Sequence, residues 1–315
     1  MKTKTATPGV WPVMLTPFDD RREIDWHSLE RLIDWYIRAG VQGLFANCQS
    51  SEMFYLSESE SQRLTRFVLN HVDGRVPVIA SGHTACGLSQ QIDQLSWMAE
   101  SGVDGVILIS NRLAMPGEDD QAVLETLQSL TRALPSETPL GIYECPHPYK
   151  RLLSDAAIDW CAKSGRFSFI KDTSCRIDII RRRLELIAGS PLRLANANGQ
   201  TLLASLQAGA HGYSGIMTNF HPDLYVWLCR HWHEQPEQAH QLADYLGISS
   251  LVEHLDYPVC AKAYQVSLGN LHSIASRARD TSNYFATHYP LSVEQMLRMG
   301  DEFRRRLGIA SAVGN

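Results

Sequence analysis

Eight short apolar runs, most of them rich in β-branched residues, alternate with longer segments whose apolar residues recur every three or four positions. This alternation is typical of parallel β/α units, in which each strand is followed by a helix that packs on the sheet. Eight strands at fairly regular spacing favour a closed (β/α)₈ barrel, and the pattern alone leaves a doubly wound open sheet as the alternative. The predicted strands are Val10–Thr16, Val41–Asn47, Val76–Ser81, Gly105–Ser110, Leu140–Tyr143, Phe167–Lys171, Leu192–Ala195 and Gly212–Ile216.

Beyond residue 220 the strand pattern stops and helical periodicity continues. We therefore predict a barrel over residues 1–222 and a helical C-terminal extension over residues 223–315. Two arginine clusters, Arg181–Arg183 and Arg304–Arg306, are expected to be solvated helix faces. The helices predicted in the C-terminal part are Leu224–Trp232, Glu237–Val252, Val259–Ser267 and Val293–Leu307.

Composition excludes several classes of partner. The 315 residues are 44% hydrophobic and 20% charged, with a net charge of -5, so no basic surface for nucleic acid or anionic lipid is expected. No apolar run approaches the ~18 residues of a membrane span, and the first residues lack the apolar core of a signal peptide. Seven scattered cysteines without a CxxC pair fit reduced thiols, and we expect a cytoplasmic protein.

The stretch "SFIKDTSC" places one lysine directly after an apolar run. Strand alternation predicts Phe167, Phe169 and Lys171 on one face and Asp172 on the other. An ammonium group facing the barrel interior costs several kcal/mol unless it is paired, and loss of its proton relieves that cost. A neutral lysine amine attacks carbonyl carbon and forms an imine that assists C–C cleavage or formation. A structural ion pair with an inward carboxylate is the alternative for this strand.

Other polar residues follow neighbouring strands at the end where barrel enzymes keep their active sites. Tyr143 ends the preceding strand, and its hydroxyl suits a proton relay, although an aromatic that only fills the barrel is the alternative. Gln49, Ser50 and Ser51 cluster on a turn after the second strand. Hydroxyls and backbone N–H groups there could hold the carboxylate of a 2-oxo acid, or could serve as turn and N-cap groups.

With these residues the chain resembles the dihydrodipicolinate synthase / N-acetylneuraminate lyase family of Schiff-base aldolases and dehydratases, over nearly its whole length. The motifs stand in family order at family-like spacing. They are "TPF" at Thr16–Phe18, the turn ending in Glu52, "YECP" at Tyr143–Pro146, "IKD" at Ile170–Asp172, "GAHGYSG" at Gly209–Gly215 and "YPVCAKA" at Tyr257–Ala263.

The resemblance implies a (β/α)₈ TIM barrel with a three-helix C-terminal extension, a homotetramer or homodimer, and no metal or organic cofactor. It makes Lys171 the Schiff-base lysine and Tyr143 the proton shuttle. Carboxylate binding carries over well to Ser50 and less well to Gln49, where dihydrodipicolinate synthases keep a threonine. Ser214, on the eighth strand, is expected to contribute backbone near the substrate.

Departures from the family pattern concern the second half of the substrate. Dihydrodipicolinate synthases place a second tyrosine after the fourth strand, where this chain has Leu113, and an arginine where this chain has Pro148. Lys150 or Arg151 could replace that arginine. His83, at the end of the third strand, is expected either to contact the substrate or to be a hydrogen-bonded structural histidine.

The resemblance therefore predicts a class I aldolase or lyase that acts on pyruvate or a related 2-oxo acid, including dehydration of a 2-oxo sugar acid. Dihydrodipicolinate synthesis proper is the alternative within the enzyme class. A barrel that keeps a 2-oxo acid pocket but serves as a sensor or binding protein is the alternative outside it.

Overall fold

The computed structural model describes residues 8–282, 284 and 290–309, and in it eight parallel strands lie side by side. Their order is β1-β8-β7-β6-β5-β4-β3-β2, and Val13, just after β1, pairs with Phe45 of β2. This last pairing closes the ring, so the predicted barrel is confirmed and the open sheet is excluded. The strands are β1 (Gly9–Val10), β2 (Leu44–Ala46), β3 (Val78–Ala80), β4 (Gly105–Ile109), β5 (Leu140–Tyr143), β6 (Phe167–Asp172), β7 (Arg193–Asn196) and β8 (Gly212–Tyr213).

Helices connect consecutive strands and form the outer layer. The barrel helices are α1 (Trp26–Arg38), α2 (Glu58–Val72), α3 (Leu88–Glu100), α4 (Asp120–Ala133), α5 (Asp155–Ser164), α6 (Ile177–Leu186), α7 (Leu202–Gln207) and α8 (Pro222–His231). Helix α8, assigned to the extension by sequence, packs against β1 and β8 as the eighth barrel helix does. The helices that follow are α9 (Pro236–Ser249), α10 (Val259–Ser267) and α11 (Pro290–Leu307). The domain division after residue 222 stays a prediction.

Local sequence explains where these elements begin and what they bury. Asp25 caps α1 by accepting a hydrogen bond from the backbone N–H of Ser28, and Ser57 forms a capping box with Glu60 at α2. Strand β4 reads GVILI and is buried throughout, as expected of a parallel strand covered on both faces. In the described part of the chain, no helix combines the length and apolar character that a membrane crossing requires.

The predicted facing of Phe167 is wrong. A register shift between β5 and β6 pairs Leu140 with Phe167 but Gly141 with Phe169, so one extra residue interrupts the alternation. Phe167 consequently packs under α5, its ring centroid 6.0 Å from that of Trp160. From Phe169 onward the alternation holds, and Phe169 lies in the barrel interior.

An ion cluster centred on Arg183 of α6 joins β5 to β6 on their outer face. The guanidinium, 2% exposed, donates to Glu144, the residue after β5, at 2.9 Å from Nη1 to Oε2, and it also contacts the carboxylate of Asp172. The expectation of a solvated helix face is wrong for Arg183, and equally for Arg304, which is 3% exposed and bound to Asp223. Within each cluster, the buried arginine is the one that binds a buried carboxylate from a distant segment of the chain.

Replacing Arg183 with methionine leaves two buried carboxylates without a counter-charge. Removal of one partner from a buried ion pair typically costs about 3–5 kcal/mol, so Arg183→Met is expected to lower the free energy of unfolding by about that amount. Urea-induced unfolding measures the change. The matched control is Arg182→Met, since Arg182 is half exposed and pairs with Asp155 at the surface, where a pair contributes about 0–1 kcal/mol. Equal stability of the two variants would contradict the assigned role.

Candidate active site

Lys171 ends inside the barrel at the carboxyl side of β6. Its side chain is 4% exposed, and its Nζ lies 4.2 Å from the centroid of the Tyr143 ring and 5.7 Å from that of Phe45. Asp172 points to the other face of the strand, where Arg183 holds it. Among the described residues, no hydrogen-bond acceptor or carboxylate pairs with the Lys171 amine. The ring faces stabilise a cation only modestly compared with water or a carboxylate.

Burial lowers the pKa of Lys171 from its ordinary value of 10.5 to about 8. At pH 7 about one molecule in ten then carries the neutral amine, against about one in several thousand for an exposed lysine. The alternative is a structural ion pair between Lys171 and an inward carboxylate, and no carboxylate in the described part of the chain pairs with this lysine. The geometry instead favours a reactive amine.

Tyr143 stands beside the lysine because β5 and β6 pair Tyr143 directly with Lys171. Its hydroxyl donates to Oε1 of Gln49 at 3.3 Å, so the turn after β2 touches the end of β5. Burial raises the pKa of Tyr143 well above its ordinary value, and the phenol stays protonated at neutral pH. Tyr143 is thus placed to donate a proton to an oxygen bound near the lysine.

The predicted carboxylate-binding turn is a short 3₁₀ helix over Gln49–Ser51. Ser51 is committed to the fold, since its hydroxyl donates to the Met14 carbonyl at 2.8 Å and accepts from the Cys48 N–H at 3.1 Å. Gln49 and Ser50 remain as donors, because the Gln49 amide nitrogen has no partner among the described residues. The Ser50 hydroxyl accepts from Tyr257 at 2.7 Å.

Glu52 anchors this turn to the C-terminal extension. Its backbone is left-handed, with φ of 59°, and its buried carboxylate binds the ammonium of Lys262 on α10, with 2.5 Å between Oε1 and Nζ. The other carboxylate oxygen accepts from the Ser276 hydroxyl at 2.8 Å and from the Arg277 N–H at 2.7 Å. Sequence reasoning assigned no role to Glu52, Lys262 or Tyr257. A lysine within the apolar "VCAKAY" of α10 was the one available signal.

Lys262 is the other lysine among the described residues whose pKa is strongly lowered. Burial lowers its pKa from 10.5 to about 8, and the Glu52 carboxylate opposes that shift. Unlike Lys171, its ammonium is bonded to a carboxylate and to the carbonyl of Ala275 at 2.7 Å. Lys262 therefore has a structural role that its neighbours satisfy.

His83 is held by protein groups at both ring nitrogens. The Ile109 N–H donates to Nε2 at 2.6 Å, and Nδ1 lies 3.1 Å from Oε1 of Gln91. Burial lowers the pKa of His83 to about 4, so the ring is neutral near pH 7. These contacts favour the structural alternative for this histidine over a substrate contact.

Lys150 and Arg151 are turned towards loops. The Lys150 ammonium donates to the Thr173 carbonyl, and Nη2 of Arg151 donates to the carbonyls of Met115, at 2.8 Å, and Glu118, at 3.0 Å. Neither contacts Lys171. The position of the missing second tyrosine, Leu113, is 1% exposed and lies in the apolar layer between strands and helices.

Ser214 lies just after β8, and β1 stands between that strand and β2, which precedes Gln49. Its hydroxyl donates to the carbonyl of Trp11 at 2.9 Å, and its N–H donates to that of Asn196 at 2.9 Å. Both of its donors are therefore used within the barrel, and the Ser214 carbonyl is the group left for a substrate.

A cavity of about 80 Å³ opens beside the turn, at the mouth of the barrel. Polar and aromatic groups surround it, and they come from the loop after β2, the loop after β5 and the C-terminal extension. Its walls include Gln49, Phe54, Tyr55, His147, Tyr257 and Arg279. Among the described residues, no group of three or more His, Cys, Asp or Glu side chains is placed to hold a metal ion.

Known proteins resemble this chain in sequence. The 4-hydroxy-tetrahydrodipicolinate synthase of Oceanobacillus iheyensis is 33% identical over 210 residues, which cover 67% of this chain and 69% of that protein. The protein of the same name from Magnetococcus marinus is 26% identical over 268 residues, covering 84% and 89%.

Solved structures share the fold. YagE, a prophage protein of the dihydrodipicolinic acid synthase family from E. coli K12 in complex with pyruvate, superposes with a TM-score of 0.82 at 22% identity, covering 95% of this chain and 99% of that one. The 4-hydroxy-tetrahydrodipicolinate synthase of Methylacidiphilum fumariolicum SolV gives 0.82 at 18% identity, covering 96% and 98%.

The family model described as the dihydrodipicolinate synthetase family matches residues 6–247. That range holds all eight strands, the turn after β2 and both residues of the Tyr143–Lys171 pair. The chain therefore belongs to the dihydrodipicolinate synthetase family, whose members are lyases that form a Schiff base with a 2-oxo acid and need no metal.

Proposed function

We propose that this chain binds pyruvate or a related 2-oxo acid as a Schiff base on Lys171 and makes or breaks a C–C bond next to that imine. The observation that carries the proposal is a buried lysine amine that has no ion-pair or hydrogen-bond partner among the described residues and lies 4.2 Å from the centroid of the Tyr143 ring. In such surroundings the amine loses its proton readily and becomes the nucleophile.

The proposed chemistry begins when Nζ of Lys171 attacks the carbonyl carbon of the 2-oxo acid. The carbonyl oxygen, after accepting protons, leaves as water, and a protonated imine remains. Loss of a proton from the adjacent carbon gives an enamine, which attacks an aldehyde carbon, and the reverse sequence cleaves the same bond. Tyr143 supplies the proton to the departing oxygen, and Gln49 and Ser50 hold the carboxylate.

The identity of the second substrate is a separate proposal. We propose a 2-oxo acid reaction other than dihydrodipicolinate synthesis, since Leu113 carries no hydroxyl and Arg151 is bound to the loop at Met115 and Glu118. The names of the curated relatives favour the synthase itself as the second candidate. Condensation of pyruvate with aspartate semialdehyde separates the two, because robust product would make the synthase the function.

Compartment and assembly are also proposals. The seven cysteines are all unpaired, which supports a reducing compartment such as the cytoplasm. Exposed apolar side chains of the C-terminal extension, including Ile248, Leu251 and Met299, support association into a homotetramer or homodimer.

Borohydride trapping with pyruvate tests the Schiff base. We expect intact-mass measurement to show one reduced pyruvate per chain, and peptide mapping to place it on Lys171. Lys262 is an internal control, since burial lowers its pKa to the same value but Glu52 occupies its ammonium. Lys171→Met is expected to form no adduct. An adduct on another lysine, or none in the wild type, would refute the proposal.

The rate of imine formation should depend on pH in a defined direction. Only the unprotonated amine reacts, and the pKa of Lys171 is lowered to about 8. At limiting pyruvate the rate of trapping by cyanoborohydride should rise about tenfold per pH unit below pH 8 and level off above it. A rate that continues to rise to pH 10 would indicate an ordinary, solvated lysine.

Removal of the Tyr143 hydroxyl should slow the chemistry and leave the lysine's surroundings intact. Tyr143→Phe keeps the ring beside Nζ but loses the proton donor, so the maximal rate of imine formation should fall about 10²–10⁴-fold. Addition of borohydride at successive times after mixing with pyruvate measures this rate. Tyr245→Phe, which loses a hydroxyl bonded to His221 in the C-terminal region, is the control. Equal rates for these two variants would remove Tyr143 from the mechanism.

A further inference from the structure

A tyrosine of the C-terminal extension bonds directly to the turn that is proposed to bind the carboxylate. Tyr257 lies just before α10, lines the cavity beside Gln49, and donates its hydroxyl proton to Oγ of Ser50 over 2.7 Å. The backbone of this tyrosine is steadied by Arg279, whose Nε lies 3.4 Å from the Tyr257 carbonyl oxygen.

The direction of this hydrogen bond follows from Asn219. The amide nitrogen of Asn219 lies 3.0 Å from the carbonyl oxygen of Val13 and 3.1 Å from that of Ile216. Carbonyl oxygens only accept, so the nitrogen must face them, and its third neighbour, at 3.0 Å, is the Tyr257 hydroxyl oxygen. An amide nitrogen does not accept hydrogen bonds, so the Tyr257 hydroxyl proton cannot be directed to Asn219, and Oγ of Ser50 is the acceptor that the described residues offer it.

The last hydroxyl proton in this series of hydrogen-bonded side chains, Asn219, Tyr257 and Ser50, belongs to Ser50. Its Oγ already accepts from Tyr257, and no acceptor for the Ser50 hydroxyl proton is present among the described residues. Because the Ser50 oxygen already accepts a hydrogen bond, the Ser50 O–H group is available to donate to a bound anion. Burial raises the pKa of Tyr257 well above its ordinary value, so the phenol keeps the proton that it donates across the neutral range.

We propose that Tyr257 is a positioning residue that holds the Ser50 hydroxyl as a hydrogen-bond donor to the carboxylate of the 2-oxo acid. This inference rests on the proposed function, because it assumes that Ser50 binds that carboxylate. It means that affinity for the 2-oxo acid depends on the extension, which supplies Tyr257. The backbone of Asn219 is in turn held by Gln265 of α10, whose Nε2 lies 2.8 Å from the Asn219 carbonyl oxygen.

The test compares Tyr257→Phe with the wild type in borohydride trapping over a range of pyruvate concentrations. Loss of one hydroxyl that orients a donor to a charged group should raise the half-saturating pyruvate concentration about 5–20-fold. The maximal amount of adduct and its rate at saturation should stay within about twofold. Tyr264→Phe is the matched control, since it removes a hydroxyl from α10 whose partner is His221.

A double-mutant cycle with Ser50→Ala distinguishes positioning from general destabilisation. If Tyr257 acts through Ser50, Tyr257→Phe should have no further effect on half-saturation in the Ser50→Ala background. The same shift in both backgrounds, a fall in maximal adduct, or a shift no larger than that of Tyr264→Phe would overturn the inference. Absence of any wild-type adduct would instead refute the Schiff-base function, so the two failures are separate.

Discussion

The buried ion cluster of Arg183, Glu144 and Asp172 is the constraint on which the site depends. Each acid directly follows a residue of the proposed chemistry in the sequence: Glu144 follows Tyr143, and Asp172 follows Lys171. Because successive residues of a strand face opposite sides, fixing both acids to one guanidinium outside the barrel fixes the tyrosine and the lysine inside it. The cluster thus sets the register of β5 and β6, and with it the distance between the phenol ring and the amine.

Two buried lysines show how surroundings decide a residue's role. Burial lowers the pKa of Lys171 and of Lys262 to about 8. Lys262 is bonded to Glu52 and joins the extension to the turn after β2, whereas Lys171 faces aromatic rings without a charged partner among the described residues. A perturbed pKa alone would not separate the two. The absence of a carboxylate beside Lys171 leaves its amine available to a substrate, and Glu52 removes that option from Lys262.

Much of the fold was readable from periodicity, because strand and helix repeats depend on local chain geometry. Eight strands overlap the predicted ones, although β1 ends at Val10, where the predicted strand begins, and β8 ends at Tyr213; the lone lysine lies at the end of β6 as the sequence predicts. The errors have tertiary causes. Phe167 changes face because of a register shift against β5, and Arg183 and Arg304 are buried because acids from distant segments reach them. A window of neighbouring residues encodes neither the register in which two strands pair nor the identity of a side-chain partner far along the chain.

The sequence by itself determined the eight β/α units, the family and the positions of Lys171 and Tyr143, since apolar spacing and short motifs are properties of contiguous residues, whereas the closure of the barrel depends on the pairing of Val13 with Phe45. Only the tertiary structure decided which polar groups remain available for a ligand. It uses the hydroxyl of Ser51 and the ring of His83 within the fold, and it brings Tyr257 to Ser50 across 207 residues. The physical reason is that a hydrogen-bonding group is free or occupied according to what packs against it, and those neighbours come from the whole chain.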